Sequence, residues 1–221
     1  MEERPLDEYE VFETKSANAD APDQPFTITK NQRYLMLGSI SYCILYLIRY
    51  VVSSTFTGLM DWDLSLKLLV NALNIAASSY FYYFMIGYYR FYGLNSLKVI
   101  MILTLITQLS IHLTGILPML DIVYSTKITA VIDGCAIIIE LIWIIIVLIT
   151  NGEYYSAFRS IKKAALSSIF VLIISFITPL LIISVLPYNY YGFISLTYLP
   201  VIIPFIFMID FVLKLKVKTP Y

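Results

Sequence analysis

From about residue 29 the chain becomes a succession of long apolar runs separated by short polar breaks. Each run is about 20 residues long, enough for a helix to cross the roughly 30 Å hydrocarbon core of a bilayer. The pattern predicts six transmembrane helices, at about 34–55, 67–89, 97–118, 128–150, 165–186 and 191–213. The breaks have local causes. Asp61-Trp62-Asp63 follows the first run, and Arg90 to Asn95, with Gly93, separates the second from the third. Pro118 and Asp121 end the third, Asn151-Gly152 the fourth, and Pro187 with Asn189 the fifth. The fold class predicted is all-α: a polytopic integral membrane protein in which residues 29–221 form one six-helix domain.

Residues 1–28 lack this pattern. They carry Pro5, Pro22 and Pro25 and no apolar periodicity, and they predict a flexible acidic tail. Eight acids (Glu2, Glu3, Asp7, Glu8, Glu10, Glu13, Asp20 and Asp23) face only Arg4 and Lys15 there. No cleaved signal peptide is expected at such an N-terminus, so the first membrane helix serves as the insertion signal.

Composition makes the lipid solvent necessary. Of 221 residues 59% are hydrophobic and 14% charged, against roughly 45–50% and about 25% in soluble domains. Six helices and a tail leave no room for a soluble catalytic domain. The formal net charge is zero, so no basic surface calls for nucleic acid. Cys43 and Cys135 both lie inside apolar runs and are expected as small buried residues, not as a disulfide.

Charge placement sets the expected orientation. Lys30, Arg33, Arg90, Lys98, Arg159, Lys162, Lys163, Lys214, Lys216 and Lys218 fall on one side of a six-helix arrangement. Only Lys67 and Lys127 fall on the other, beside Asp61, Asp63 and Asp121. Cytoplasmic loops carry the excess of Lys and Arg, which places both chain ends in the cytoplasm. Between Glu153 and Ala165, Tyr154, Tyr155, Phe158 and Ile161 recur at helical spacing beside Arg159, Lys162 and Lys163. That pattern predicts a short interfacial helix, in reach of anionic lipid, leading into the fifth span.

Ionisable groups inside a span cost roughly 2.5–3.5 kcal/mol each on insertion scales, and so face protein or water. At a rise of 1.5 Å per residue, Arg49 and His112 lie about 9 Å, and Asp133 about 8 Å, below the outer end of their helices. Asn71 and Asn74 lie roughly 6–10 Å deep on the same rise, while Glu140 reaches the midplane, near the level of Gln108. Stripes of polar and small residues (Gly38, Ser41, Tyr42 and Arg49; Asn71, Asn74 and Ser78; Thr104, Gln108, His112 and Gly115) are expected to turn inward. Asp133 and Glu140, seven apart, share one face of the fourth helix. An Arg49–Asp133 ion pair is expected at the centre of this layer, and Asp210 is expected to pair with Lys214 one turn later. Pro179, Pro200 and Pro204 interrupt the last two spans and are candidates for kinks or a gate.

Three functions follow as expectations. The first is a small transporter or channel, with Arg49, Asn71, Asn74, Gln108, His112, Asp133 and Glu140 along a polar path in the outer half of the bilayer. The second is a scaffold or accessory subunit whose polar groups hold helices together and whose acidic tail recruits a cytoplasmic partner; oligomerisation suits both readings. The third is a membrane-embedded enzyme on a lipid-linked substrate, because Asp61-Trp62-Asp63 resembles the acidic pairs with which lipid-linked glycosyl transferases hold a metal. No HExxH, GxSxG or Cys/His spacing occurs, and the chain has one histidine, so no catalytic residue, cofactor or metal ligand is assigned. The expected location is the cell membrane, plasma membrane or bacterial inner membrane.

Overall fold

The computed structural model describes residues 25–55, 63–120, 122, 126–151, 156–185 and 188–218. The acidic segment 1–24, Asp61-Trp62, Asp121, Gly152 to Tyr155 and Pro187 lie outside the described residues, and so do the expectations attached to them. Among the described residues the protein is all-helical apart from two strands of two residues. In order it has β1 (Thr27–Ile28), α1 (Lys30–Thr55), α2 (Leu64–Phe91), α3 (Asn95–Ile116), α4 (Thr126–Ile149), α5 (Ser156–Val185), α6 (Ile202–Lys214) and β2 (Lys216–Val217). Short 3₁₀ turns cover Leu117–Leu120, and a long 3₁₀ segment, Tyr188–Val201, precedes α6.

A helix stands at each of the six expected places, and five of them are long and apolar enough to cross a membrane. The exception is α2. Its 28 residues are long enough, but Asn71, Asn74, Ser78, Ser79 and a run of tyrosines dilute its apolar character. Between 11% and 22% of each spanning stretch is buried inside the protein. The rest presents side chains such as Leu45, Val131, Phe170, Leu180 and Val185 outward, far more apolar surface than water tolerates on a soluble monomer.

Local signals fix the helix ends. At the start of α1, Thr29 and Gln32 form a reciprocal capping box: the Gln32 backbone N–H donates to Thr29 Oγ1 at 3.2 Å, and the Thr29 N–H to Gln32 Oε1 at 2.9 Å. At the end of α2, Gly93 takes a φ of +66°, which lets the Leu94 N–H reach back to the Tyr89 carbonyl at 2.9 Å. Pro204 sits in the first turn of α6, just after the 3₁₀ segment ends. Pro179 lies inside α5. The expected interfacial helix is not separate: Ser156 to Val185 is one continuous helix of 30 residues.

Consecutive helices run antiparallel, and the apolar core lies at one end of the bundle. It joins the start of α1 (Met36, Ile40), the end of α2 (Met85, Tyr88, Tyr89), the start of α3 (Leu97) and the end of α4 (Ile144, Val147). The start of α5 (Phe158, Ile161) and the end of α6 (Phe211, Val212) complete it. Phe158 and Ile161 are therefore buried in protein, a correction to the lipid-facing role expected of them. Helical periodicity alone cannot distinguish the two surroundings. Towards the other end most of the buried groups are polar: Asn71, Asn74, Thr114, Ser195 and Thr197.

A clasp closes the apolar end. β1 pairs in parallel with β2, Thr27 opposite Lys216 and Ile28 opposite Val217. The Lys218 N–H donates to the Ile28 carbonyl at 2.9 Å. Phe26 donates its N–H to Tyr92 Oη at 2.9 Å and packs edge-on against Phe84, Tyr88 and Phe91. Arg33 Nη2 donates to the carbonyls of Leu213 (3.3 Å) and Leu215, a cation placed on the negative end of α6.

Candidate functional site

The polar half of the bundle is built on α2, whose Asn71 and Asn74 are both buried. Tyr46, on α1, donates its hydroxyl to Asn71 Oδ1 at 2.6 Å, and Asn71 Nδ2 donates back to the Lys67 carbonyl at 2.9 Å. Asn74 Nδ2 lies 3.4 Å from His112 Nε2 on α3, and Ser78 donates to the Asn74 carbonyl at 2.8 Å. Three helices are thus joined at one level by side-chain hydrogen bonds, the interactions that hold helices together where lipid supplies no hydrophobic drive. A level further on, Thr55 and Ser195 share a 2.7 Å hydrogen bond that ties α1 to the 3₁₀ segment.

The other expected residues divide. Arg49 is half-buried on α1, within electrostatic reach of Tyr42 and Tyr46. Gln108 is half-buried on α3 and makes no hydrogen bond among the described residues. The Arg49–Asp133 ion pair is not formed: Asp133 is exposed and has no hydrogen bond or ion pair among the described residues. Gly38, Ser41 and Gly115 are exposed too, so the stripes of α1 and α3 turn inward only in part. Cys43 is half-buried and Cys135 exposed, both as free thiols.

The reason for the missing pair lies in α4. Asp133, Glu140 and Ile144 share a face at 100° per residue. At the apolar end this face is covered, and Ile144 and Val147 are buried. Traced back towards the start of α4 it loses its cover: Glu140 is half-buried, within electrostatic reach of Tyr82, and Asp133 is open. α4 is apolar on nearly every side, so its pattern fixes depth but not the level at which neighbours stop covering it.

Sequence reasoning missed Tyr46, Tyr82 and Ser160. The tyrosines are hidden among 19 in the chain, most of them explicable as interface anchors. Ser160 is fully buried on α5 and donates to Asp210 Oδ2 at 2.5 Å, while Lys214 Nζ reaches Ser160 Oγ at 3.0 Å and Asp210 Oδ2 at 2.5 Å. The Asp210–Lys214 pair is present as expected, with α5 bonded into it. The trio lacks the features of a nucleophile and base, because the serine is sealed and the ammonium is occupied by a carboxylate. It pins α5 to α6. Pro179, Pro200 and Pro204 are all half-buried, and the 3₁₀ geometry gives way to α-helix between Pro200 and Pro204.

Among the described residues, no three of His, Cys, Asp and Glu converge on a point that could hold a metal ion. The chain matches no protein-family model, no curated protein and no solved structure.

Proposed function

We propose that this is a membrane-embedded accessory subunit whose α4 face receives a transmembrane segment of another chain. The observation that carries the reading is Asp133: an open carboxyl on a helix of 24 mostly apolar residues, without a partner among the described residues. An ionisable group in that position costs several kcal/mol unless protein or water meets it. A segment bringing a cation or hydrogen-bond donor to that depth would remove the cost. The interior polar groups suit a holder, since Tyr46, Asn71, Asn74 and His112 bind helix to helix.

The topology proposed with it has six spans, α2 included, and both ends in the cytoplasm. α2 runs antiparallel between α1 and α3, and its asparagines are covered by both neighbours. The clasp end carries the cations from Lys30 to Lys218, the opposite end Lys67 and Lys127, and the richer end belongs inside. The cell membrane is the location proposed.

A transport reading stands second, favoured by Glu140. That carboxyl lies half-buried on the same face and makes no hydrogen bond among the described residues, as a solute or proton site would. One experiment separates the two. A photo-crosslinking residue at Ala130 or Ile137, one turn either side of Asp133, is installed in living cells, with and without Asp133→Leu. The accessory reading expects protein adducts that vanish with Asp133→Leu. Adducts to lipid alone, with a cysteine at Asp133 or Glu140 labelled by an impermeant thiol reagent from outside, would transfer the face to water and to transport.

A further inference from the structure

A groove of about 780 Å³ lies between α1 and α2, on the outer surface of the bundle. Its floor is made of small residues, Gly38 and Ser39 on α1 and Ala76 and Ala77 on α2, and Tyr34 and Tyr80 stand along it. A side-chain carbon added at Gly38 would meet nothing within 4 Å, so the space above the floor is open there. The groove follows α1 from Asn31 to Tyr42, a run of about 17 Å at 1.5 Å per residue. That is close to the thickness of one leaflet, half of the roughly 30 Å hydrocarbon core.

Its two ends differ chemically. At the deep end the Tyr42 hydroxyl donates to the Val70 carbonyl at 3.0 Å, and one turn beyond it Tyr46 bonds to Asn71. These two bridges draw α1 and α2 together and close the cleft. At the mouth, Asn31 is exposed and Lys30 places its ammonium 6.0 Å from the centre of the Tyr34 ring. The cation thus stands over a wall of the groove, at the helix end where headgroups lie. Nearby Arg33 is engaged by the α6 carbonyls, whereas Lys30 lies against Tyr34, a wall residue of the groove.

From this we infer that the groove is a binding site for one phospholipid with an anionic headgroup. An acyl chain lies over Gly38 and Ala76–Ala77, and the phosphate meets Lys30 and Asn31. The dimensions favour lipid over a helix: a docking helix needs a face that runs the full core, and this one stops after a single leaflet. The charge at the mouth favours an anionic headgroup over a zwitterionic one. Its residues are on α1 and α2, and the Asp133 face shares none of them.

The test uses the full chain in phosphatidylcholine vesicles, doped with phosphatidylglycerol or phosphatidylcholine carrying a diazirine near the chain terminus. After illumination the adducts are mapped by peptide mass spectrometry. Phosphatidylglycerol adducts are expected on the Gly38 and Ala76–Ala77 peptides several-fold above those on lipid-facing α5 around Phe170, and above those of the phosphatidylcholine probe. Lys30→Gln, an exposed change, should bring the two probes level. Gly38→Phe should abolish the groove adducts and leave α5 labelling as it was. Equal labelling of α1–α2 and α5, or no preference between headgroups in the unmodified chain, overturns the inference. So do chain-to-chain crosslinks from a photoreactive residue at Ala77, which would seat a second copy in the groove.

Discussion

Tyr46, Asn71, Asn74 and His112 join three helices through a few polar atoms, and such bonds have a measurable worth in a bilayer. Interhelical side-chain hydrogen bonds average about 0.6 kcal/mol there, with a maximum near 1.7, because the separated helices find other partners. Tyr46→Phe is therefore expected to lower stability by about 0.6 kcal/mol. Asn74→Leu should cost more, up to about 1.7 kcal/mol, since it also leaves His112 half-buried without that partner. Steric-trap unfolding in bicelles reads both. No loss from either would mean that water replaces the bonds, and so that the interior is wet. Three of the four residues are recognisable from sequence because Asn and His are rare and costly in apolar runs. Tyr46 is not, since tyrosine is at home near either end of a membrane helix. Asp133 is legible in its place along α4 but not in its surroundings, because no pattern on α4 tells where its neighbours end.

Among the elements, α5 departs furthest from its sequence pattern. An aromatic face flanked by Arg159, Lys162 and Lys163 describes a helix lying on lipid equally well as one docked against protein. What decides is the partner surface, contributed by α6 some 50 residues further along the chain: Ser160 bonds to Asp210, and Phe211 is buried in the same core as Phe158. The two arrangements differ sharply in energetics. Phe158→Ala is expected to cost about 3–5 kcal/mol, the usual loss for a buried phenylalanine, where an interfacial helix would lose membrane contact with little effect on the fold. Thermal unfolding in detergent micelles distinguishes them. The last span shows the reverse case. Its prolines are plain in the sequence, and the structure places the switch from 3₁₀ to α-helix between two of them. Pro179 has no such boundary beside it: inside α5 its ring removes one helical hydrogen bond, and the Ser175 carbonyl loses its donor.

At the scale of the whole molecule, one end is stitched by aromatic packing and by the clasp, and the other by scattered polar bonds. The helical architecture was readable because solvent choice follows from composition and because each span must satisfy its own backbone. The clasp was not, since strands of two residues have no period and their partners come from opposite ends of the chain. The helix that follows β1 is within reach: the Thr29 to Gln32 spacing is a capping box and marks the start of α1. Neighbouring strands lie about 4.8 Å apart, inside the range a disulfide spans. Thr27→Cys with Lys216→Cys, in a Cys43→Ser/Cys135→Ser background, is therefore expected to crosslink under mild oxidation within one chain. Either cysteine alone should not. Arg33→Met, which removes the bonds to Leu213 and Leu215, should slow the reaction several-fold. A pair that stays reduced in native membranes would mean that the clasp does not form there.

The clasp also has a consequence for the order in which the protein comes into being. Arg33 and the carbonyl of Leu215 are 182 residues apart along the chain, so a ribosome makes one long before the other. Throughout synthesis the beginning of α1 waits in the membrane without the segment that will hold it. Only when the stretch through Lys218 has left the ribosomal tunnel can the knot be tied. Helices α1 to α5 can meet and separate as they are inserted; closure waits for α6 and β2, and a nascent protein stalled before α6 would present an open N-terminal edge.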